Sequence, residues 1–269
     1  QDVDSMLEYC FNHDDDFSMH ICEALLPRIL RRGPQLIEQS LRVREILADH
    51  YEMRERFFDV YKVLDDIPVN DAALRSSQPK FQLGLYTRMI NATLAMGDPT
   101  LGEASLSKAL VARKLVKQMG TADVETVELN QAFLAAHASW LDRNRRWIEA
   151  GLKYYELSMS ASCPVNGNED RSSSANLNGP GAITALQKSV VCALLGDSGP
   201  LRTRLLTSLA NDERLPLLSG DLPLLVEKLS RSQMLRPVDT LYASKLLEPH
   251  QQGAFGSSDQ SCLEAAVAQ

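Results

Sequence analysis

The chain has 269 residues, 44% of them apolar, and carries 28 basic against 35 acidic side chains for a net charge of −7. That apolar content supports a folded core or a run of stacked units, and the acidic balance argues against a nucleic-acid binder, whose phosphate contacts need clustered Lys and Arg. The five cysteines (Cys10, Cys22, Cys163, Cys192, Cys262) are odd in number and widely spread, which points away from a disulfide framework and toward reduced thiols in a cytosolic or nuclear setting.

Aromatics make up only 6% of the chain while Leu and Ala abound, which favours helix over strand. Residues 1–17 read as a short helix broken by Asp14-Asp15-Asp16. The spacing of Ile21, Leu25 and Ile29 then predicts a helix from Ser18 to Arg32, ended by Gly33-Pro34. The next helix runs to about Tyr51, and a second, Arg54 to Ile67, carries Phe57, Val60, Tyr61 and Leu64 at helical steps until Pro68 stops it. After a loop over 69–79 come a helix from Lys80 to Met96 and, opened by the Asp98-Pro99 cap, one to about Lys117. A long helix from Gly120 to about Asn144 places Phe133, His137, Trp140 and Leu141 at core spacing, and its partner runs from Arg146 to Ser160. Ala161 to Gly181 is rich in Asn, Ser and Gly and reads as a disordered insertion. Short Leu-rich helices follow at Ile183–Leu195, Leu201–Ala210, Leu222–Ser230 and Pro237–Leu247, then a polar loop from Gln251 to Gln260. No apolar run approaches 18 residues and no signal peptide is evident, so neither membrane insertion nor secretion is expected.

One short pattern recurs at spacings of 44 and 46 residues: Phe57-Phe58-Asp59-Val60, Leu101-Gly102-Glu103-Ala104 and Trp147-Ile148-Glu149-Ala150. A large apolar residue (Tyr51, Leu94, Leu141) precedes each by six or seven positions. A period in the forties is the length of a helix–turn–helix unit that must stack on its neighbours to bury its apolar face. The expected fold is therefore all-α, a right-handed α-solenoid of antiparallel helix pairs with Phe57, Leu101 and Trp147 buried at equivalent positions.

Candidate chemistry is sparse. Cys10, His13, His20 and Cys22 form a C-x2-H-x6-H-x-C cluster whose spacing matches no common zinc finger, and a buried Cys22 with both histidines in solvent is the plainer reading. Asp14-Asp15-Asp16 lacks the alternating ligands, glycine and final Glu of a calcium loop, and instead favours the positive end of the next helix. His137, one turn from Phe133 and Trp140, reads as a core residue rather than a base. Asn178-Gly179-Pro180-Gly181 lacks the Lys-Ser/Thr of a phosphate loop. Arg143, Arg145 and Arg146 beside Trp147 read as a solvated helix end rather than a nucleic-acid patch. Asn91-Ala92-Thr93, a glycosylation sequon inside a helix, reads as accidental. No catalytic, cofactor-binding or metal residue is assigned, and no cofactor is expected.

Other stretches carry a resemblance. Arg44-Glu45-Ile46-Leu47-Ala48-Asp49-His50-Tyr51-Glu52, Val63-Leu64 with Ile67-Pro68, and Trp147–Ala150 running into Tyr155-Glu156-Leu157-Ser158 resemble the central repeats of the fourth-subunit family of the COP-nine signalosome. So do Arg202-Thr203-Arg204-Leu205-Leu206, Leu209, Asp212-Glu213-Arg214 and Leu247-Glu248-Pro249-His250-Gln251, in order and at matching distance. The resemblance runs from about Pro27 to the end of the chain. It implies a TPR-like arm over 1–160 and the helical part of a PCI domain over 182–269; the Ser/Asn-rich insertion at 161–181 between them is longer than the family pattern leads one to expect. Beginning at Gln1 and ending near Ala265-Ala266-Val267, the chain reads as a fragment without the family's winged helix. Leu225, Leu229, Leu241 and Leu246 would then be left exposed, favouring weak self-association.

The resemblance further implies a non-catalytic scaffold, cytoplasmic and nuclear, in a complex that removes NEDD8 from cullins. Its partners would be other PCI subunits, metalloprotease-fold subunits and a cullin-RING ligase, with no nucleic acid or membrane. The His-x-His motif of the family complex's zinc protease subunit does not occur, since no two of the five histidines stand two apart. The related fifth non-ATPase subunit of the proteasome lid is the alternative, followed by a translation-initiation-factor PCI subunit; the competing class is an enzyme in its own right, for which no residues can be nominated.

Overall fold

The computed structural model describes residues 16–31, 36–69, 78–120, 123–160, 180–231, 233 and 235–252. Among them are eleven α-helices and no strand: α1 (Asp16–Arg31), α2 (Ile37–Met53), α3 (Phe57–Asp65), α4 (Pro79–Met96), α5 (Gly102–Gln118), α6 (Val124–Arg143), α7 (Trp147–Ser160), α8 (Pro180–Leu195), α9 (Pro200–Ala210), α10 (Leu222–Ser230) and α11 (Pro237–Leu246). No described helix is long and apolar enough to cross a membrane. The chain divides into two compact units, Gln1–Ala122 and Asp123–Gln269.

In the first unit α1 packs on α2, α2 on α3, α3 on α4 and α4 on α5, so each helix is covered by its neighbours in the chain. In the second, α6 packs on α7, α7 on α8, and α9 lies against α7, α8 and α10. This is the all-α, pairwise order of stacked helix hairpins. The core of the second unit gathers Trp147, Leu186, Val190, Leu205, Leu209 and Leu222. At Gly151 a Cβ would stand 2.8 Å from Leu205 Cδ2 and 3.3 Å from Cys192 Cβ, so a larger residue there would have to push the Leu205 side chain of α9 aside.

Three hairpins turn in the same way. After α2, α4 and α6 the chain passes through one left-handed residue, Glu55 (φ 56°), Gly97 (φ 78°) and Arg145 (φ 60°). In each the next amide reaches back five residues, Arg56 N–H to Tyr51 O at 2.9 Å, Asp98 N–H to Thr93 O at 3.2 Å and Arg146 N–H to Leu141 O at 3.0 Å. The left-handed residue's own amide reaches back three, to Glu52, Leu94 and Asp142. These are Schellman ends, which satisfy carbonyls the finished helix leaves unpaired.

The turns correct the repeat's register. Their spacings are 42 and 48 residues, not 44 and 46. Aligned on them, Tyr51, Thr93 and Leu141 are buried at one position, Val60, Gly102 and Ala150 at a second, and Leu64, Leu106 and Tyr154 at a third. Trp147 is buried as expected, but Phe57 is only half-buried and Leu101 is 42% exposed. Aligned on the turns, Leu101 falls at the position of Asp59 and Glu149, while Pro99 takes the position of Phe57 and Trp147, so the sequence pattern is two residues out of register there. Asp98 accepts from the Thr100 amide at 3.1 Å, and Pro99 opens a 3-10 turn over Pro99–Leu101 before α5. The matching turns instead start their helix at once, with Arg56 paired to Asp59 and Arg146 to Glu149 across the first turn.

The apolar surface expected after Leu222 also differs. Leu225 is fully buried in the second unit's core, Leu229 and Leu246 are half-buried, and only Leu241, 64% exposed, stands out as expected. Leu225 faces inward because α10 packs against α9 through Leu222, Leu225 and Val226. Helix α8 starts at Pro180, so Pro180 and Gly181 belong to a helix. Residues 161–179 and 253–269 lie outside the described residues.

Gly97 has nothing within 4 Å of where a Cβ would stand, so its left-handed backbone is the only thing an alanine would strain. Gly97→Ala is expected to cost about 1 kcal/mol. Glu55→Gly, at the equivalent turn, should be neutral or stabilising by up to about 1 kcal/mol. Urea denaturation of the two variants should give these opposite directions.

Candidate functional site

The polar residues that carry the sequence resemblance turn out to reach across helices. Four consecutive residues near the end of α2 divide between two neighbours. His50 and Tyr51 face α1: Ser18 Oγ lies 3.1 Å from His50 Nε2, and the Tyr51 hydroxyl donates to Glu23 at 2.8 Å. Burial, reinforced by Glu23, pushes the Tyr51 hydroxyl up to about 12. Asp49 and Glu52 face α4, where Arg88 donates to them at 2.7 and 3.0 Å. Helical geometry puts i and i+1 about 100° apart, so the run ties α2 to the helices on either side of it.

The second unit repeats the device with deeper burial. Arg202, in the first turn of α9, donates from Nε to Ala193 O at 3.0 Å and so caps the end of α8. Arg214 pairs with Asp212 at 2.7 Å, with side chains only 7% and 6% exposed, and also donates to Ser158 O at 2.9 Å. It also donates to Ser158 Oγ and Met159 Sδ, which anchors the loop after α9 to the end of α7. Burial disfavours the Asp212 charge, but the Arg214 hydrogen bonds outweigh it and hold the carboxyl below its ordinary range.

The third tie gathers the largest number of titratable groups around one buried carboxylate, Asp142. Asp142, at the end of α6, accepts from Gln251 Nε2 through both oxygens, at 2.9 and 3.1 Å. Gln251 belongs to the turn after α11, which closes on itself through Gln251 N–H to Glu248 O at 2.8 Å and Glu248 N–H to Gln251 Oε1 at 3.0 Å. The His250 imidazole lies between two carboxylates, Nε2 3.3 Å from Asp142 and Nδ1 3.5 Å from Glu248. Lys188 of α8 holds the other Glu248 oxygen at 2.9 Å. The turn thus clasps the end of α6, 109 residues away, to the middle of α8.

Chemically this cluster is a structural clasp. Asp142, Glu248 and His250 offer ligand atoms within 4.8 Å of one another, the spacing of a cation site. However, His250 turns a different nitrogen toward each acid, while Gln251 and Lys188 already hold carboxylate oxygens a metal would need. The Cys192 thiol, 3.9 Å from Asp142, faces an acid rather than a base. Burial, reinforced by the Asp142 charge, pushes it well above its ordinary value, the opposite of an activated nucleophile. Burial likewise raises Asp142, with Gln251 and His250 opposing.

Of the residues weighed from sequence, Cys22 is buried while His20 is exposed beside Glu23, and Cys10 and His13 lie outside the described residues. His137 is buried with its ring 5.5 Å from Phe133. Arg143, Arg145 and Arg146 are exposed, Arg145 in the left-handed turn. The Asp142 clasp was not read from sequence. Its only signal there was the Glu248–Gln251 motif, which names one half of the contact.

No family model matches the chain. The resemblance read from the sequence nevertheless holds against curated proteins. The chain is similar to subunit 4 of the COP9 signalosome complex from Dictyostelium discoideum, 27% identical over 257 residues, covering 94% of this chain and 58% of that protein. The Drosophila melanogaster subunit 4 is 27% identical over 94% of this chain and 56% of its own length, and the Neurospora crassa one 30% identical over 86% and 48%. The chain therefore spans about half the length of the curated relatives it matches.

The clasp has a pH signature. The folded state holds the Asp142 proton more firmly than the unfolded chain, so the cost of its buried charge is relieved as pH falls through the raised value. Gln251→Met removes both amide hydrogen bonds to that charge and should destabilise the protein by about 2 kcal/mol at pH 7. The loss should shrink toward pH 4, measured by urea denaturation at the two pH values.

Proposed function

We propose that this chain is a non-catalytic scaffold subunit of the COP9 signalosome, built from a helical-repeat arm and the helical part of a PCI domain. The observation that carries the reading is the use made of its polar signature. Asp49, Glu52, Arg202, Arg214 and Gln251, all within the stretches that carry the resemblance, are spent on joining helices, with Arg88 and Asp142 among their partners. A chain whose distinctive polar residues hold helix to helix acts through the surface the stack presents. The relatives reported above bear the signalosome name rather than that of the proteasome lid, which favours the first over the second.

On this reading the chain works beside other PCI and metalloprotease-fold subunits, in cytoplasm and nucleus. It supports the removal of NEDD8 from cullin-RING ligases without performing the cleavage. Purified alone, it should leave a neddylated cullin intact, with or without added zinc, as followed by gel shift. Tagged in cells, the full-length protein should co-purify with signalosome subunits identified by mass spectrometry. Robust cleavage by the isolated chain, or co-purification with proteasome lid subunits instead, would overturn the proposal.

A further inference from the structure

Helix α5 is unlike the other helices of the first unit. Its inner face, with Leu106, Ala109, Ala112 and Val116, packs on α4. Its outer face should be polar by the ordinary rule for a half-buried helix, yet it presents Val111 (62% exposed), Leu115 and Met119 one turn apart, with Leu110 beside them. Among the described residues no other helix exposes as many large apolar side chains. Lys108 lies along the stripe with its ammonium 5.7 Å from the Tyr86 ring of α4, and Lys114 and Lys117 lie on the Leu110 side, all three exposed. The acids are few: Glu103 is the only one in α5, and α4 has none. In a chain of net charge −7 this hairpin is a local basic island.

We propose that the outer face of α5 is a docking site for an acidic amphipathic helix of a partner protein. The stripe recurs at i, i+4 and i+8, the anchor spacing of helix-on-helix recognition. At 1.5 Å per residue the 17 residues of α5 reach about 25 Å, room for about four turns of a partner. The lysines decide what that partner is. Two copies of this face would set Lys108, Lys114 and Lys117 against their own kind, whereas glutamates or aspartates flanking a leucine stripe would pair with them. Wet lysines along the rim set partner choice and encounter rate, while the apolar stripe supplies most of the affinity.

The inference concerns which partner chemistry the scaffold accepts and uses only α5, so it does not depend on which complex the chain joins. It is tested with the full chain and two fluorescent 16-residue helical peptides sharing one leucine stripe, one flanked by Glu and one by Lys. By anisotropy, the Glu-flanked peptide should bind saturably and the Lys-flanked one should not. Val111→Asp should weaken binding at least tenfold, and the triple variant K108E/K114E/K117E should reverse the preference. Circular dichroism should show both variants folded, since the altered side chains are exposed. Equal binding of the two peptides, or none by the Glu-flanked peptide up to millimolar concentration, would overturn the proposal. So would a dimer in sedimentation equilibrium that Val111→Asp abolishes, because the face would then belong to a second copy.

Discussion

The architecture depends on how a helix is made to end and reverse within a few residues. A helix leaves its last carbonyls without partners, and burying that end is costly unless something donates to them. At Glu55, Gly97 and Arg145 one left-handed residue lets two amides turn back onto the finished helix. The following helix is then committed to run back against its predecessor. Two of the three sites use a residue with a side chain, accepting a backbone strain of about 1–2 kcal/mol. Direction reversal is thus fixed locally, before any distant contact forms.

Hairpins so formed still need a reason to stay in one register against their neighbours, because leucine-rich faces slide with little change in energy. Paired polar groups supply that reason. A buried hydrogen-bonded ion pair adds little net stability over apolar packing but penalises every arrangement that separates its members. Arg214 with Asp212 and Ser158, and Asp142 with Gln251, act this way across 56 and 109 residues. Lighter, half-exposed ties such as Arg88 to Asp49 and Glu52 do the same in the first unit. Several of the polar residues most useful for recognising the chain therefore hold helix to helix. What remains for partners is the outer surface, of which the basic, apolar face of α5 is the most distinctive part.

The helices were legible because their punctuation is local. Pro79, Pro200 and Pro237 sit at helix starts and Gly97 at a helix end, and periodicity placed most ends within three residues. The repeat was legible in kind but shifted in register. Bulky–x–acid–small occurs at Leu101–Ala104 as it does at Trp147–Ala150, yet measured from the turns Leu101 stands at the position of Asp59 and Glu149. Nothing in composition reports a two-residue offset of that sort. Long-range partners were illegible for a different reason: Glu248-Pro249-His250-Gln251 is visible as a motif, but that it closes on Asp142 is settled only when α6, α8 and α11 are packed together. Leu225 was misplaced because its inward orientation depends on α9, not on its own helix.

A double-mutant cycle on Asp212 and Arg214 tests most directly whether the signature polar residues serve the fold. Asp212→Asn and Arg214→Met each strand a buried partner, and each should cost about 3 kcal/mol in urea denaturation. The double variant should cost well under the sum, giving a coupling of about 2 kcal/mol or more. Single losses below about 0.5 kcal/mol with no coupling would contradict the account, since the pair would then be free to serve something other than the packing of α7 against the loop that follows α9.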